Sequence, residues 1–231
     1  MIKLAIFDLD GTLLDTARDL ANATNFALRS CGFPERPAED YYELVGNGIY
    51  NLFRKAVQPR ELSREETLRR ASEVDEETVA RVASYFRPYY EAHICDYTKP
   101  YDGIMECLEA ITSKGVRIAV ASNKYQEGAE RLVGKFFGDF SFVKVLGQRE
   151  GCPIKPDPEI VRQIMAAVPS VSVDEVAYVG DSDVDMKTGR NAGVRTIGVS
   201  WGFRPKDELA SYEPSAIVDS PDELRAEILG E

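Results

Sequence analysis

The stretch that most constrains this chain is a short apolar run near its start that ends in two carboxylates. Residues 2–7 are mostly large and apolar, and Asp8, Asp10 and Gly11 follow directly. A short apolar run that stops at a turn signal predicts a buried strand. Only one residue separates the two aspartates, so in extended backbone their side chains lie on the same side.

Two carboxylates at this spacing favour a cation, because like charges raise each other's pKa unless a positive charge neutralises them. Mg²⁺ suits such a site, since it is a hard ion that takes carboxylate and carbonyl oxygens. In an open parallel sheet, ligands bind beyond the carboxyl ends of the strands, where Asp8 and Asp10 are expected. A plain surface turn is the alternative, whereas a calcium loop is set aside because Thr12, Leu13 and Leu14 follow.

The composition argues against several classes of function. A formal net charge of −11 over 231 residues disfavours a nucleic-acid backbone or an anionic membrane as the main partner. His93 is the single histidine, which excludes Ser-His-Asp and multi-histidine metal chemistry within the chain. No run approaches the ~20 apolar residues of a membrane span. The apolar run that breaks at Asp8 is not a signal peptide, and the widely spaced cysteines favour a reducing cytoplasm.

The order of predicted elements divides the chain into two parts. Residues 37–93 carry helical periodicity only, whereas strands and helices alternate in the second half. Alternation of this kind predicts a parallel sheet with helices on both faces. Because the strand before Asp8 belongs with that sheet, we predict an α/β fold. Its Rossmann-like, doubly wound core spans residues 1–15 and 97–231, and an all-helical domain is inserted at residues 16–96.

Three further polar clusters follow predicted strands or lie in loops at the same rim of the sheet. Ser122-Asn123-Lys124 comes directly after a predicted strand at residues 116–121. Lys155 precedes a stiff Pro-Asp-Pro loop that opens a helix. Residues 180–185 hold three aspartates after a buried strand, and such a cluster requires water or a cation.

These clusters, taken with the first, resemble the four motifs of the haloacid dehalogenase superfamily, whose phosphatases carry them in this order. The first motif is complete at Asp8-Leu9-Asp10-Gly11-Thr12. The second and third match at Ser122 and Lys155, and the fourth, Gly-Asp-x-x-x-Asp, matches residues 180–185. The resemblance covers essentially the whole chain, and it includes the segment at residues 198–202.

The resemblance implies a phosphate monoester hydrolase that works in two steps. Asp8 would attack phosphorus and form an aspartyl-phosphate. Asp10 would protonate the leaving oxygen and then take a proton from the attacking water. Ser122, Asn123 and Lys155 would hold the phosphoryl oxygens, the lysine also neutralising negative charge.

The resemblance also implies a Mg²⁺ cofactor and a cap. The ion would be held by the Asp8 carboxylate, the Asp10 backbone carbonyl and Asp181. Asp185 would support the site through water or by orienting Lys155. The inserted helical domain would act as a cap that closes over the site and excludes bulk water.

Substrate choice is expected to depend on the helical domain. Gly46, Asn47 and Gly48 precede a predicted helix, and their backbone amides could bind a second anion, with an ordinary turn as the alternative. This segment and residues 122–124 resemble those of phosphoglycolate phosphatases. We therefore expect a small phosphorylated metabolite as substrate, most specifically phosphoglycolate, and a cytoplasmic monomer or homodimer.

Other activities stay open at this point. A pyrophosphatase, a nucleotidase, a sugar-phosphate phosphatase or a β-phosphoglucomutase would share the four motifs. A non-catalytic phosphate-binding regulator is the alternative from another class. Loss of Asp8 or Asp10 would have favoured the regulator, and both are present.

Overall fold

The chain divides into two compact units. The computed structural model describes residues 1–46 and 48–231. The first unit combines Met1–Asp15 with Lys99–Glu231, and the second is Thr16–Thr98. Each unit has its own buried apolar side chains.

The first unit is built on a six-stranded sheet whose strand order is β5-β4-β1-β6-β7-β8. All neighbouring strands in this sheet pair in parallel. The parallel sheet with flanking helices confirms the predicted doubly wound α/β fold. The strands are β1 Leu4–Phe7, β4 Arg117–Tyr125, β5 Phe142–Gln148, β6 Val176–Gly180, β7 Arg195–Val199 and β8 Ala216–Val218.

Six helices of the first unit precede, connect or follow the strands from β4 to β8. Their apolar residues cover the sheet, as where Ile160, Val161 and Ile164 pack with Leu4 and Ile6 of β1. The helices are α6 Ile104–Ser113, α7 Gln126–Phe136, α8 Glu159–Met165, α9 Asp183–Ala192, α10 Lys206–Ala210 and α11 Pro221–Leu229.

Strand β4 is longer than its apolar run indicates. The run stops at Ala121, but the strand continues to Tyr125 and α7 begins at Gln126. Pairing with β5 explains the difference, since Tyr125 is the register partner of Gln148. The prediction that residues 122–124 follow the strand was therefore wrong, because they lie inside β4, in an irregular stretch between the paired residues Ala121 and Tyr125.

The sequence gives no strand signal for a second, two-stranded sheet. Strand β2, Leu14–Asp15, pairs antiparallel with β3, Lys99–Pro100. Two-residue strands are too short to produce an alternating pattern. Their pairing joins the segment where the chain leaves the first unit to the segment where it returns.

The second unit is helical in its described residues. Its helices are α1 Ala17–Ser30, α2 Tyr41–Leu44, α3 Ile49–Ala56, α4 Arg64–Ala71 and α5 Glu76–His93. Phe26 of α1 stacks on Tyr89 of α5 with ring centroids 4.4 Å apart. The buried Asp19 carboxylate accepts hydrogen bonds from the backbone of Tyr97 and Thr98, so the first turn of α1 is bonded to the end of the unit.

Candidate active site

The ends of two neighbouring strands bring the first and fourth motifs together. Strand β1 lies between β4 and β6, and Phe7 pairs in register with both Val120 and Val179. Asp8 follows Phe7 and Asp181 follows the end of β6, so both side chains lie at the carboxyl edge of the sheet. A parallel sheet places its ligands at this edge.

Three buried carboxylates form a cluster there. Asp8, Asp181 and Asp185 each offer one oxygen, and these oxygens lie within 4.8 Å of one another. Their exposed fractions are 8%, 1% and 0%. Carboxylate oxygens gathered out of water suit a hard divalent cation such as Mg²⁺.

The protonation of the cluster reflects its burial. Burial raises the pKa of Asp8 to about 7, with Asp185 and then Asp10 adding to the rise and Lys155 opposing it. Burial likewise raises the pKa of Asp181 to about 8, with Asp185 and Asp8 adding to the rise. Without a cation, the two carboxyls therefore keep their protons to a higher pH than ordinary aspartates do.

Lys155 supplies positive charge inside the cluster. Its Nζ donates to Asp185 Oδ1 at 2.8 Å and lies 2.9 Å from Asp8 Oδ1. The second contact has the distance of an ion pair without the direction of a hydrogen bond, and Asp8 Oδ1 has no hydrogen-bond partner among the described residues. Although burial lowers the pKa of the Lys155 ammonium, Asp185 and Asp8 raise it well above its ordinary value. A buried carboxylate oxygen that has an ion-pair contact but accepts no hydrogen bond fits a metal ligand.

Asp185 is enclosed by donors from its own surroundings. Its Oδ2 accepts from the backbone N–H and the hydroxyl of Ser182 at 3.1 and 2.5 Å, which completes a capping box at the start of α9. Its Oδ1 accepts from Lys155 and, at 3.4 Å, from the Tyr178 hydroxyl. Asp185 is thus placed to orient Lys155, which agrees with a supporting position rather than a direct metal ligand.

Asp181 is fixed by residues outside the fourth motif. Thr12 Oγ1 donates to Asp181 Oδ1 at 3.0 Å, and the backbone N–H of Phe203 donates to Oδ2 at 2.8 Å. Gly11 and Gly202 lie so close that a Cβ on either would collide with the Asp181 side chain. Sequence reasoning missed the contribution of the loop at residues 201–203, because hydrogen bonds from a distant loop leave no local pattern.

Asp10 is paired with a lysine that the sequence left without a role. Lys124 Nζ donates to Asp10 Oδ1 at 2.8 Å and to Oδ2 at 3.1 Å. Only 4% of the Lys124 side chain and 16% of the Asp10 side chain are exposed. The local sequence pattern did not predict this ion pair. A lysine directly after two polar residues at a strand end is its only signal in the sequence.

Ser122 and Asn123 both lie beside this edge, in different settings. The Ser122 hydroxyl is buried and accepts from the backbone N–H of Lys124 at 3.2 Å. The Asn123 amide bonds both the N–H and the carbonyl of Lys155, at 2.9 and 3.1 Å. Asn123 therefore holds the Lys155 loop, while phosphate contact by either residue stays a prediction.

The predicted anion-binding loop belongs to the second unit. Asn47 lies outside the described residues. Gly48 has a φ of 82° and precedes α3, which begins at Ile49. Gly46 offers its carbonyl to the Asn51 side chain at 3.4 Å. Binding of an anion by this loop stays a prediction.

Comparison with known proteins gives a consistent result over nearly the full length. A family model described as haloacid dehalogenase-like hydrolase matches residues 5–199. A phosphoglycolate phosphatase of Agrobacterium fabrum is 32% identical over 218 residues, which are 94% of this chain and 88% of that protein. One from Aquifex aeolicus is 29% identical and covers 96% and 95%.

A solved structure extends the similarity to three dimensions. The crystal structure of a candidate phosphoglycolate phosphatase from Lactobacillus delbrueckii subsp. bulgaricus has a TM-score of 0.92 and 35% identity, and 99% of each chain is covered. In the part of this chain that the structure describes, no helix has the length and hydropathy needed to cross a membrane.

Proposed function

Because this chain belongs to the haloacid dehalogenase-like hydrolase family and is a phosphatase, we propose that it hydrolyses a small phosphate monoester with Mg²⁺ through an aspartyl-phosphate. Phosphoglycolate is the proposed substrate, since relatives that cover nearly the whole chain bear that name. The observation that carries the mechanism is the buried group of Asp8, Asp181 and Lys155 at one edge of the sheet.

Asp8 is the proposed nucleophile. Its carboxylate attacks phosphorus, an acyl phosphate bond forms and the bond between phosphorus and the ester oxygen breaks. Lys155 balances negative charge on Asp8 and on the transferring group, and Asp185 holds the lysine in place. Mg²⁺ bound by the Asp8 and Asp181 carboxylates would neutralise the phosphoryl oxygens and the nucleophile.

Asp10 is the proposed proton carrier. It gives a proton to the departing ester oxygen in the first step. In the second step it takes a proton from the water that attacks the acyl phosphate, and inorganic phosphate and free Asp8 are regenerated. Asp10 lies two residues beyond Asp8, and its charge contributes to the raised pKa of Asp8, so the two carboxyls act on the same site.

Phosphate release tests this proposal. We expect release from phosphoglycolate to exceed release from pyrophosphate, nucleoside monophosphates and hexose phosphates, and to stop when EDTA removes the metal. Asp8→Asn should lower the rate by roughly 10⁴-fold or more, because no other group takes over nucleophilic attack.

Asp183→Asn is the matched control. This aspartate belongs to the same acidic cluster in the sequence, but its carboxylate accepts from Lys187 at 2.7 Å on the side of α9. The control should retain wild-type activity. No release from any ester by folded protein with Mg²⁺, or equal loss in both variants, would contradict the proposed mechanism. A different substrate ranking would replace phosphoglycolate alone.

A further inference from the structure

The ion pair between Lys124 and Asp10 has no role in the proposed mechanism. Two lysines lie at this edge of the sheet, and each has its own carboxylate. Lys155 contacts Asp8, the proposed nucleophile, whereas Lys124 contacts Asp10, the proposed proton carrier. The two ion pairs come from different strands and loops, so neither is a by-product of the other.

The geometry of the pair fixes the carboxylate at both oxygens. One ammonium donates to Oδ1 and Oδ2 of Asp10 at 2.8 and 3.1 Å, which restricts rotation of the carboxylate. The Lys124 side chain is 4% exposed, and a buried ammonium is costly without such a partner. The pair is therefore a built feature of the edge and not a mobile surface contact.

The lysine itself is held by its strand. Lys124 is the last residue but one of β4, whose register with β5 extends to Tyr125. Its backbone N–H donates to the Ser122 hydroxyl. A Cβ at Gly147 of β5 would collide with the Lys124 carbonyl, so the two backbones are in close contact. The ammonium thus projects from a packed segment, which limits the positions that Asp10 can take.

We propose that Lys124 is a positioning residue that holds the Asp10 carboxylate in the orientation from which it exchanges protons with the leaving group and with water. This inference rests on the proposed function, since it assigns Asp10 the proton transfers. A side chain misplaced by one ångström can lose most of its catalytic contribution. Removal of Lys124 should therefore weaken proton transfer by Asp10 while nucleophilic attack by Asp8 persists.

Leaving-group dependence separates these two steps. Phenolate needs a proton to depart far more than p-nitrophenolate does, and kcat/KM reports the steps up to the first phosphoryl transfer. We expect Lys124→Met to lower kcat/KM for phenyl phosphate by about 10–100-fold, within the usual contribution of general acid catalysis. For p-nitrophenyl phosphate the decrease should stay below about 3-fold, as expected when the acid is dispensable.

A double-mutant cycle tests whether Lys124 acts through Asp10. In an Asp10→Asn background, Lys124→Met should change kcat/KM for phenyl phosphate by less than about 3-fold, because the effects of coupled residues are not additive. Lys187→Met is the matched control, since it breaks a lysine–aspartate pair on α9 whose carboxylate, Asp183, is neither Asp10 nor a member of the buried cluster. This substitution should leave kcat/KM unchanged for both substrates.

Four results would overturn the inference. Equal losses for both esters would mean that Lys124 binds substrate or maintains the fold. Fully additive losses in the cycle would mean that it acts without Asp10. No turnover by the wild-type protein would refute the proposed function and this inference together. Normal wild-type turnover, with kcat/KM for phenyl phosphate unchanged in Lys124→Met, would refute the inference alone. Melting temperatures of all variants establish that each is folded.

Discussion

Single side chains connect distant parts of each unit through buried hydrogen bonds. In the second unit, the Asp19 carboxylate accepts from the backbone N–H groups of Tyr97 and Thr98 and from the Thr98 hydroxyl, at 2.8 to 3.1 Å. The residue is 2% exposed. Nothing in the pattern of α1 distinguishes Asp19 from an ordinary acidic residue in a first helical turn, so its role depends on a partner 78 positions away.

We expect Asp19→Ala to destabilise the protein markedly. Each buried donor left without a partner costs about 1–3 kcal/mol, so the free energy of unfolding should fall by at least about 2 kcal/mol. Asp96→Ala is the control, because Asp96 is exposed and its carboxylate pairs with the partly exposed His93 ring. We expect a change within about 0.5 kcal/mol. Urea unfolding measures both, and equal effects would refute the role of Asp19.

Two glycines in helices of the first unit have different surroundings. Gly134 is exposed in α7, and a Cβ there would meet no atom within 4 Å. Gly189 is buried in α9, where a Cβ would collide with Thr196 Cγ2 and approach Tyr178 Cβ at 3.1 Å. The helix that carries Asp185 is therefore packed closely against strands β6 and β7.

Gly134→Ala should stabilise the protein and Gly189→Ala should destabilise it. Alanine in an exposed helix interior gains roughly 0.5–1 kcal/mol over glycine. Overpacking at Gly189 should cost about 1–3 kcal/mol. Midpoints of urea unfolding for the two variants give the comparison. A gain in stability for both would mean that α9 shifts freely on the sheet.

The protonation of the acidic cluster contributes to the stability of the whole protein. Burial raises the pKa of Asp8 to about 7 and of Asp181 to about 8, above the ordinary value of 3.8. Between about pH 4 and pH 8 these groups bind more protons in the folded metal-free protein than in the unfolded chain. Their contribution to the free energy of unfolding therefore falls as the pH rises through this range.

We expect Mg²⁺ to raise the melting temperature more at about pH 8 than at about pH 5, because the ion competes with these protons. Ligand at a hundred times its dissociation constant stabilises by about 2.7 kcal/mol. Melting curves with Mg²⁺ and with EDTA across this range measure the effect. Asp181→Asn should lose this effect of Mg²⁺ on the melting temperature, whereas Asp183→Asn should retain it. A Mg²⁺-induced rise in melting temperature that does not depend on pH, or that Asp181→Asn retains, would contradict a metal site at this cluster.

The sequence alone determined the fold class and the positions of the four motifs. Apolar runs, helical periodicity and turn residues are local signals, and they suffice to place Asp8, Asp181 and Lys155 at strand ends or in rim loops. The same signals misjudged the end of β4 and omitted β2 and β3, because pairing between strands decides both.

Only the tertiary structure decided which lysine meets which carboxylate. Lys124 and Asp10 are 114 positions apart, and Lys155 and Asp185 are 30 apart. Their contacts follow from β1 lying between β4 and β6 and from the registers that bring the strand ends level. Strand order and register depend on the packing of the whole sheet, so a local pattern can name the charged residues but not their partners.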